Sequence, residues 1–155
     1  KIEDALKKGQ GQFQYSNTHQ GHSLSVAAAL SVQKKIHNKK FLKEVIEKGK
    51  MFREILNTEL KNNEFFFNVR GRGLRNTLEY KCSNNNLFGN ILKKEMFDKH
   101  NVFIDSKWHR ICFPVALTIT RNEIEKNLKL LIKIFKKTQS NWSKKKKKEI
   151  ETFLF

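Results

Sequence analysis

The sequence predicts an α+β fold in which helices cover a small, mostly antiparallel sheet. Two observations support this prediction. Apolar residues change along the chain from helical spacing to short extended runs. The predicted elements follow one another in the order helix, helix, strand, strand, helix, strand, strand, helix. With 155 residues, the chain is long enough for one domain.

The first part of the chain contains the predicted helices. Residues 2–6 form a short helical turn, and a helix of small and apolar residues covers residues 23–37. Residues 38–40 interrupt it, and a second helix follows over residues 41–60, with apolar positions spaced by three and four. Gly49 lies inside that apolar stripe, although glycine costs a helix about 1 kcal/mol relative to alanine. This predicts close packing at Gly49.

The second part contains the strands and two more helices. Four short strands are predicted, at residues 65–68, 74–80, 102–104 and 110–113. Gly71 and Gly73 lie between the first two strands. Glycine at these positions permits positive φ angles or the close approach of another part of the backbone. Asn101 is predicted to end the third long helix in a left-handed conformation. Thr120 and Glu123 form a capping box that opens the last helix.

The composition argues against several classes of function. The formal net charge is +17, but only six of the 32 basic residues are arginine, and the lysines are scattered. No RNA-recognition, zinc-finger or basic recognition-helix motif is present, so we predict a weak, salt-sensitive attraction to polyanions and no specific nucleic-acid binding. No secretory signal or membrane-spanning run occurs. Cys82 and Cys112 do not form a CxxC motif and are predicted to be free thiols in a reducing cytoplasm.

A glycine-punctuated polar loop, residues 9–22, leads into the small-residue helix. It presents backbone N–H groups and the Thr18 hydroxyl beside a helix N-terminus, an arrangement that can bind an anion. Loops of this kind also serve simply to cap the helix that follows. His19 and His22 lie three residues apart, but no third ligand accompanies them, so no metal site is predicted.

This loop resembles the cofactor-phosphate loop of class III aminotransferases, the pyridoxal-phosphate enzymes that include the omega-amino acid and ornithine types. The matching positions are Gly9, Gly11, Phe13, Thr18, Gly21, His22, Ala27, Ala28, Ala29, Leu30 and Val32. The positions that depart from the pattern are Tyr15, Ser16, Asn17, His19 and Ser23. Residues 69–80 resemble the family's V-R-G-x-G-L-M-x-G-I-E-L stretch, and residues 114–120 resemble its P-P-L-x-I-T stretch.

The resemblance covers about residues 2–137 and implies the C-terminal small domain of a fold-type I transferase, preceded by the end of its large domain. The implied boundaries are residues 1–22 for the end of the large domain, 23–40 for a linking helix and 41–137 for the small domain. Residues 138–155 fall outside the resemblance and are expected to form a solvated, lysine-rich tail with a short terminal helix.

In the resembled family, the threonine that matches Thr18 donates its hydroxyl to the phosphate of pyridoxal 5′-phosphate, together with the backbone N–H of the preceding residue, here Asn17. This contact crosses the interface of a homodimer. The lysine that holds the cofactor as a Schiff base lies on the large domain, upstream of Lys1. We therefore expect no catalytic residue in this chain, and no transamination by it alone.

Two further residues are candidates for substrate binding. His19 replaces the family's usual tyrosine on the substrate side of the loop. Some class III enzymes bind a carboxylate through an arginine on the strand before P-P-L. Cys112 occupies that position here, and Arg110 lies two residues earlier on the same strand face. A surface role for Arg110 remains an alternative.

The resemblance implies a cytoplasmic enzyme that moves an amino group from an amine or omega-amino acid to a keto acid. An aminomutase of the same fold remains an alternative, because the small domain does not decide the reaction. A basic binding module or a pseudoenzyme without activity remains a second alternative.

Overall fold

The computed structural model describes residues 2–9 and 17–144, and it confirms the α+β class. The described helices are α1 (Ile2–Lys8), α2 (Ser23–Ile36), α3 (Lys39–Leu60), α4 (Asn85–His100) and α5 (Arg121–Lys144). The strands are β1 (Phe66–Arg72), β2 (Arg75–Tyr80), β3 (Asp105–Lys107) and β4 (Arg110–Phe113). Among these helices, none combines the length and the apolar character needed to cross a bilayer.

The chain divides into two compact units, residues 1–41 and residues 42–155. The first unit contains α1 and α2, which the sequence predicted. No side chain of α2 is buried, and Leu24, Val26, Leu30 and Val32 are exposed. Four predicted loop positions, Gly11, Phe13, Tyr15 and Ser16, lie outside the described residues.

Helix α3 begins at Lys39, two residues earlier than the sequence predicted. The side-chain oxygen of Asn38 accepts hydrogen bonds from the backbone N–H groups of Lys40 at 2.9 Å and Phe41 at 3.4 Å. An asparagine before a helix satisfies amide groups that lack a partner within the helix. The predicted interruption at residues 38–40 is therefore shorter and lies earlier: it consists of His37, which caps α2, and Asn38, which caps α3.

The four strands form one antiparallel sheet in the order β1-β2-β4-β3. Strand β1 runs to Arg72, beyond the predicted end at residue 68. The turn at Gly73 and Leu74 has only two residues, so the pairing of β1 with β2 continues as far as Arg72 and Arg75. Gly73 has a φ of 54°, a left-handed conformation that favours glycine.

The strand predicted at residues 102–104 is wrong, since β3 lies at Asp105–Lys107. The backbone N–H of Val102 donates to the carbonyl of Met96 at 3.0 Å, so this residue completes the end of α4 instead of entering the sheet. Asn101 ends α4 in the predicted left-handed conformation, with a φ of 54°. Strand β4 has its predicted bounds.

The predicted capping box at the start of α5 is present. The backbone N–H of Thr120 donates to the Glu123 carboxylate at 2.8 Å, and the backbone N–H of Glu123 donates to the Thr120 hydroxyl oxygen at 3.2 Å. The backbone and side-chain hydrogen bonds from Thr120 lower the pKa of the Glu123 carboxyl below its ordinary value.

One face of the sheet packs against α3, α4 and α5 and forms the core of the second unit. Aromatic rings connect the layers: the Phe52 and Phe113 ring centroids are 4.9 Å apart, and those of Phe88 and Phe135 are 5.1 Å apart. Full burial of such a side chain contributes roughly 1.5–3 kcal/mol to folding. The sheet residues Leu78 and Ile111 are fully buried.

Residues 138–144, the first part of the expected lysine-rich tail, continue α5 without interruption. Thr138 is buried, and the Trp142 ring lies 5.6 Å from the Phe88 ring. The Trp142 indole N–H donates to the Ser83 hydroxyl at 3.0 Å. The apolar stripe of α5 continues at helical spacing from Phe135 to Trp142, so the helix stays packed past residue 137. Residues 145–155 lie outside the described part of the chain.

Close approach of α3 to the β1–β2 turn explains the glycine inside the helix stripe. A Cβ atom placed on Gly49 would lie 1.8 Å from the carbonyl oxygen of Gly73. No side chain fits that distance, because the neighbouring atom belongs to the backbone of a packed turn. The close packing that the sequence predicted at Gly49 is confirmed.

We predict that Gly49→Ala lowers the free energy of unfolding by about 1–3 kcal/mol, because the new methyl group overpacks the α3–turn contact. The measurement is urea denaturation followed by circular dichroism. Lys50→Ala, at an exposed neighbouring position, is the control and should change stability by less than about 0.5 kcal/mol. Helix propensity alone predicts that alanine at this position raises the free energy of unfolding. Such an increase would contradict the close contact between Gly49 and Gly73.

Candidate functional site

The segment from Asn17 to His22 forms a compact turn directly before α2. The Asn17 side-chain oxygen accepts a hydrogen bond from the His19 backbone N–H at 3.1 Å. The Asn17 backbone carbonyl accepts from the Gln20 N–H at 3.0 Å. Gly21 has a φ of 75°, which explains why glycine is needed at this matched position. The turn therefore fixes the backbone around Thr18.

Thr18 is exposed at the tip of this turn. Within the described part of the chain, neither its hydroxyl nor the backbone N–H of Asn17 makes a hydrogen bond. Residues 17–22 contain no acidic side chain, and the first turn of α2 contains none either. Free neutral donors beside a helix N-terminus without nearby carboxylates suit a phosphate. The donor set of the turn fits the phosphate of pyridoxal 5′-phosphate.

The two histidines of the turn are both exposed. Their ring centroids lie 6.5 Å apart with an edge-on geometry, and His22 Nδ1 lies 3.3 Å from the Ser25 hydroxyl. His22 precedes α2, but its side chain makes no capping hydrogen bond to the helix. Asn17, Thr18 and His19 are thus brought together in one turn. Arg110, the other candidate substrate-binding residue, lies in the second compact unit.

The outer face of the sheet, opposite the core, carries polar side chains. Burial alternates along β4, where Ile111 and Phe113 are buried and Arg110 and Cys112 are half-buried. This alternation confirms that Arg110 and Cys112 share one face. We define the outer face by the residues that occupy it on three neighbouring strands: Arg70 on β1, Thr77 and Glu79 on β2, and Arg110 and Cys112 on β4.

Arg110 is incompletely paired within the described residues. Its buried Nε has no hydrogen-bond partner there, and its guanidinium lies 5.2 Å from the Trp108 ring centroid. A buried donor without a partner costs about 1–3 kcal/mol. Stacking on an aromatic ring leaves the edge of a guanidinium available to a planar anion. The arrangement suits recognition of a carboxylate.

The β3–β4 turn holds the Trp108 ring against Arg110. Trp108 has a φ of 54°, which non-glycine residues rarely adopt. The Tyr80 hydroxyl lies 3.2 Å from the Trp108 carbonyl and 2.9 Å from the Asn85 carbonyl, so its single proton is shared between them. Burial raises the pKa of the Tyr80 hydroxyl, which keeps it a donor.

Both cysteines are free thiols, as predicted. The Cys112 sulfur lies 3.7 Å from the Thr77 hydroxyl on the outer face. Burial raises the pKa of the Cys82 thiol, which disfavours the reactive thiolate. Neither arrangement resembles an activated nucleophile.

Glu79 matches the family's I-E-L pattern, but no role for it is predicted from the sequence. Arg70 Nε donates to Glu79 Oε1 at 2.8 Å, and the glutamate side chain is 11% exposed. A second unassigned pair involves Arg53, which donates to the Asn76 side-chain oxygen at 2.9 Å. The pairing of residues on different strands requires the sheet register, which the sequence alone did not provide.

This chain is similar to a family model and to known proteins that are all described as aminotransferases. A family model described as "Aminotransferase class-III" matches residues 1–135. An acetylornithine aminotransferase of Caldanaerobacter subterraneus is 30% identical over 118 residues, which cover 76% of this chain and 29% of that protein. A protein named "Aminotransferase" from Gibberella zeae is 34% identical over 80 residues, which cover 52% of this chain and 16% of that protein.

Solved structures share the fold. An acetylornithine aminotransferase from Elizabethkingia anophelis superimposes with a TM-score of 0.70 at 18% identity, over 81% of this chain and 31% of that chain. An ornithine aminotransferase from Toxoplasma gondii superimposes with a TM-score of 0.72 at 22% identity, over 90% of this chain and 32% of that chain. The chain thus spans about a third or less of the length of each of these relatives.

Proposed function

This chain belongs to the class III aminotransferase family, and from that premise we propose that it is the C-terminal part of a pyridoxal-phosphate-dependent aminotransferase. The enzyme would transfer an amino group from an amine or omega-amino acid to a keto acid in the cytoplasm. The observation that carries the proposal is the Thr18 turn, whose free donors suit the phosphate of the family's cofactor.

In this proposal Thr18 donates its hydroxyl to the cofactor phosphate, and the backbone N–H of Asn17 donates beside it. The turn is held by hydrogen bonds from His19 and Gln20 to Asn17, so both donors are positioned before the phosphate arrives. Fixed donors bind an anion without the loss of conformational freedom that a flexible loop would suffer. The N-terminus of α2 adds a favourable partial positive charge.

In this proposal the chain binds and orients the cofactor, while the lysine to which the cofactor attaches covalently lies on another part of the protein. When bound, pyridoxal phosphate withdraws electrons from the carbon atom that carries the transferred amino group. The turn anchors the end of the cofactor remote from that atom. We propose that it acts across a homodimer interface, so that the turn of each subunit completes its partner's site.

Arg110 is proposed to bind the carboxylate of the keto acid or the amino donor. Its unpaired Nε and its stacking on Trp108 support this role. Lys107 lies opposite Arg110 in the β3–β4 register and adds a second positive charge beside it. His19 is proposed to contact substrate next to Thr18.

We predict that Thr18→Val, in the enzyme that contains this chain, weakens binding of pyridoxal phosphate by about one to two orders of magnitude. A hydrogen bond to a charged group contributes roughly 1.5–3 kcal/mol, and valine lacks the hydroxyl at nearly the same volume. Equilibrium dialysis of the cofactor measures the change. Thr18→Ser is the matched control and should retain most of the affinity. Equal affinity of the valine variant and the wild type would refute the phosphate contact.

Mixed dimers test whether the turn acts on the partner's site. One subunit carries Thr18→Val, and the other lacks the Schiff-base lysine that the family places outside this chain. If the turn completes the neighbouring site, one site of each mixed dimer has both an intact lysine and an intact Thr18, and about half of the wild-type activity per dimer returns. If the turn serves its own subunit, the mixed dimer keeps one site with an intact lysine and a defective turn, and its activity per dimer is about half that of the Thr18→Val parent.

Arg110→Gln is predicted to raise KM for a keto acid by about one to two orders of magnitude, because a charged hydrogen bond to the carboxylate is lost. The corresponding aldehyde, which lacks the carboxylate, should react with the variant and the wild type at similar kcat/KM. Steady-state kinetics with both acceptors provide the measurement. A similar loss with the two acceptors would assign Arg110 a structural role.

A further inference from the structure

Glu79 lies between two arginines on the outer face of the sheet. Arg70 on β1 donates from Nε to Glu79 Oε1 at 2.8 Å. Arg110 on β4 lies directly opposite Glu79 in the β2–β4 register. Residues opposite each other in antiparallel strands have Cβ atoms about 4.5–5.5 Å apart. The Glu79 carboxylate is therefore within side-chain reach of both arginines.

Only one of the two arginines is paired with this carboxylate. Glu79 is 8% exposed, and a buried carboxylate is stable only when it is paired. Arg70 satisfies that requirement. Arg110 makes no ion pair with any described residue, and its buried Nε lacks a hydrogen-bond partner there.

An unpaired arginine next to a carboxylate needs an explanation, because the two groups attract strongly where water is limited. Arg110 instead stacks on Trp108, and Lys107 lies on its other side in the register. Pairing of Glu79 with Arg110 would neutralise this positively charged position. The Arg70–Glu79 pair competes with Arg110 for the same carboxylate.

We propose that Arg70 is a positioning residue that holds Glu79 and thereby keeps Arg110 free to bind an external carboxylate. This inference rests on the role proposed above for Arg110. Without Arg70, the Glu79 carboxylate would pair with Arg110 and compete with the substrate. Arg70 thus acts on substrate affinity through Glu79, without touching the substrate itself.

Chemical modification of Arg110 tests the pairing directly in the full 155-residue chain. Phenylglyoxal reacts with free guanidinium groups faster than with ion-paired ones, and mass spectrometry quantifies modification at each arginine. In Arg70→Gln, we expect modification of Arg110 to slow several-fold. Arg70→Gln combined with Glu79→Gln should restore the wild-type rate. Unchanged modification of Arg110 in Arg70→Gln would overturn the inference.

Two controls keep the result interpretable. Arg72→Gln removes one positive charge from the same strand without removing a partner of Glu79, and it should leave modification of Arg110 unchanged. Arg70→Lys retains a cation for Glu79 and should leave Arg110 reactive. Unfolding of Arg70→Gln would expose Arg110 and accelerate its modification, so the expected decrease cannot arise from misfolding.

Kinetics of the enzyme that contains this chain separate the inference from the proposed function. Arg70→Gln should raise KM for a keto acid with a smaller change in kcat, and adding Glu79→Gln should reverse the increase. If Arg110→Gln raises KM and Arg70→Gln does not, the inference is wrong and the proposed role of Arg110 stands. If Arg110→Gln leaves KM unchanged, the proposed role of Arg110 fails, while the modification experiment still decides the pairing.

Discussion

The second unit depends on the close approach between α3 and the β1–β2 turn. The Gly49 backbone packs directly against Gly73, and the absence of both side chains lets a helix axis come unusually near a strand end. Arg53, one helical turn further along α3, then reaches the Asn76 side chain and the Gly73 carbonyl. The hairpin is held from the helix side by backbone contact and by hydrogen bonds together.

This contact determines which sheet face becomes the core. Once α3 lies against the turn, Leu78 and its neighbours on β2 and β4 face the helices. The side chains of alternating residues must then face the other way. Glu79 and Arg110 lie on that outer face because of strand alternation, and Arg70 joins them through the β1–β2 register. The polar face is a geometric consequence of the core.

The sequence predicted those elements that local patterns determine. Helix α2, strand β4 and the capping box at Thr120 follow from residue spacing and from side chains that cap nearby backbone groups. The helix stop at Asn101 follows from its tolerance of left-handed backbone. Gly49 was also informative, because a glycine in an apolar stripe indicates a close neighbour even when that neighbour is unknown.

The sequence failed where distant residues decide the outcome. The length of β1 depends on pairing with β2. Strand β3 starts late for a local reason, because Val102 completes the end of α4. The extent of α5 depends on the contact between Trp142 and Phe88, which are far apart in the chain. The Thr18 turn was found from its motif. The Arg70–Glu79 pair was not, since neither residue's position reveals its cross-strand neighbour.

The two tryptophans occupy contrasting environments, which gives the protein a built-in optical reporter. Trp108 is 61% exposed and lies beneath Arg110, whereas Trp142 packs on Phe88 and donates to Ser83. Emission from the first indole should respond to an anion arriving at the guanidinium, and emission from the second to loosening of the aromatic core. Replacing either indole with phenylalanine would separate the two signals without an external dye.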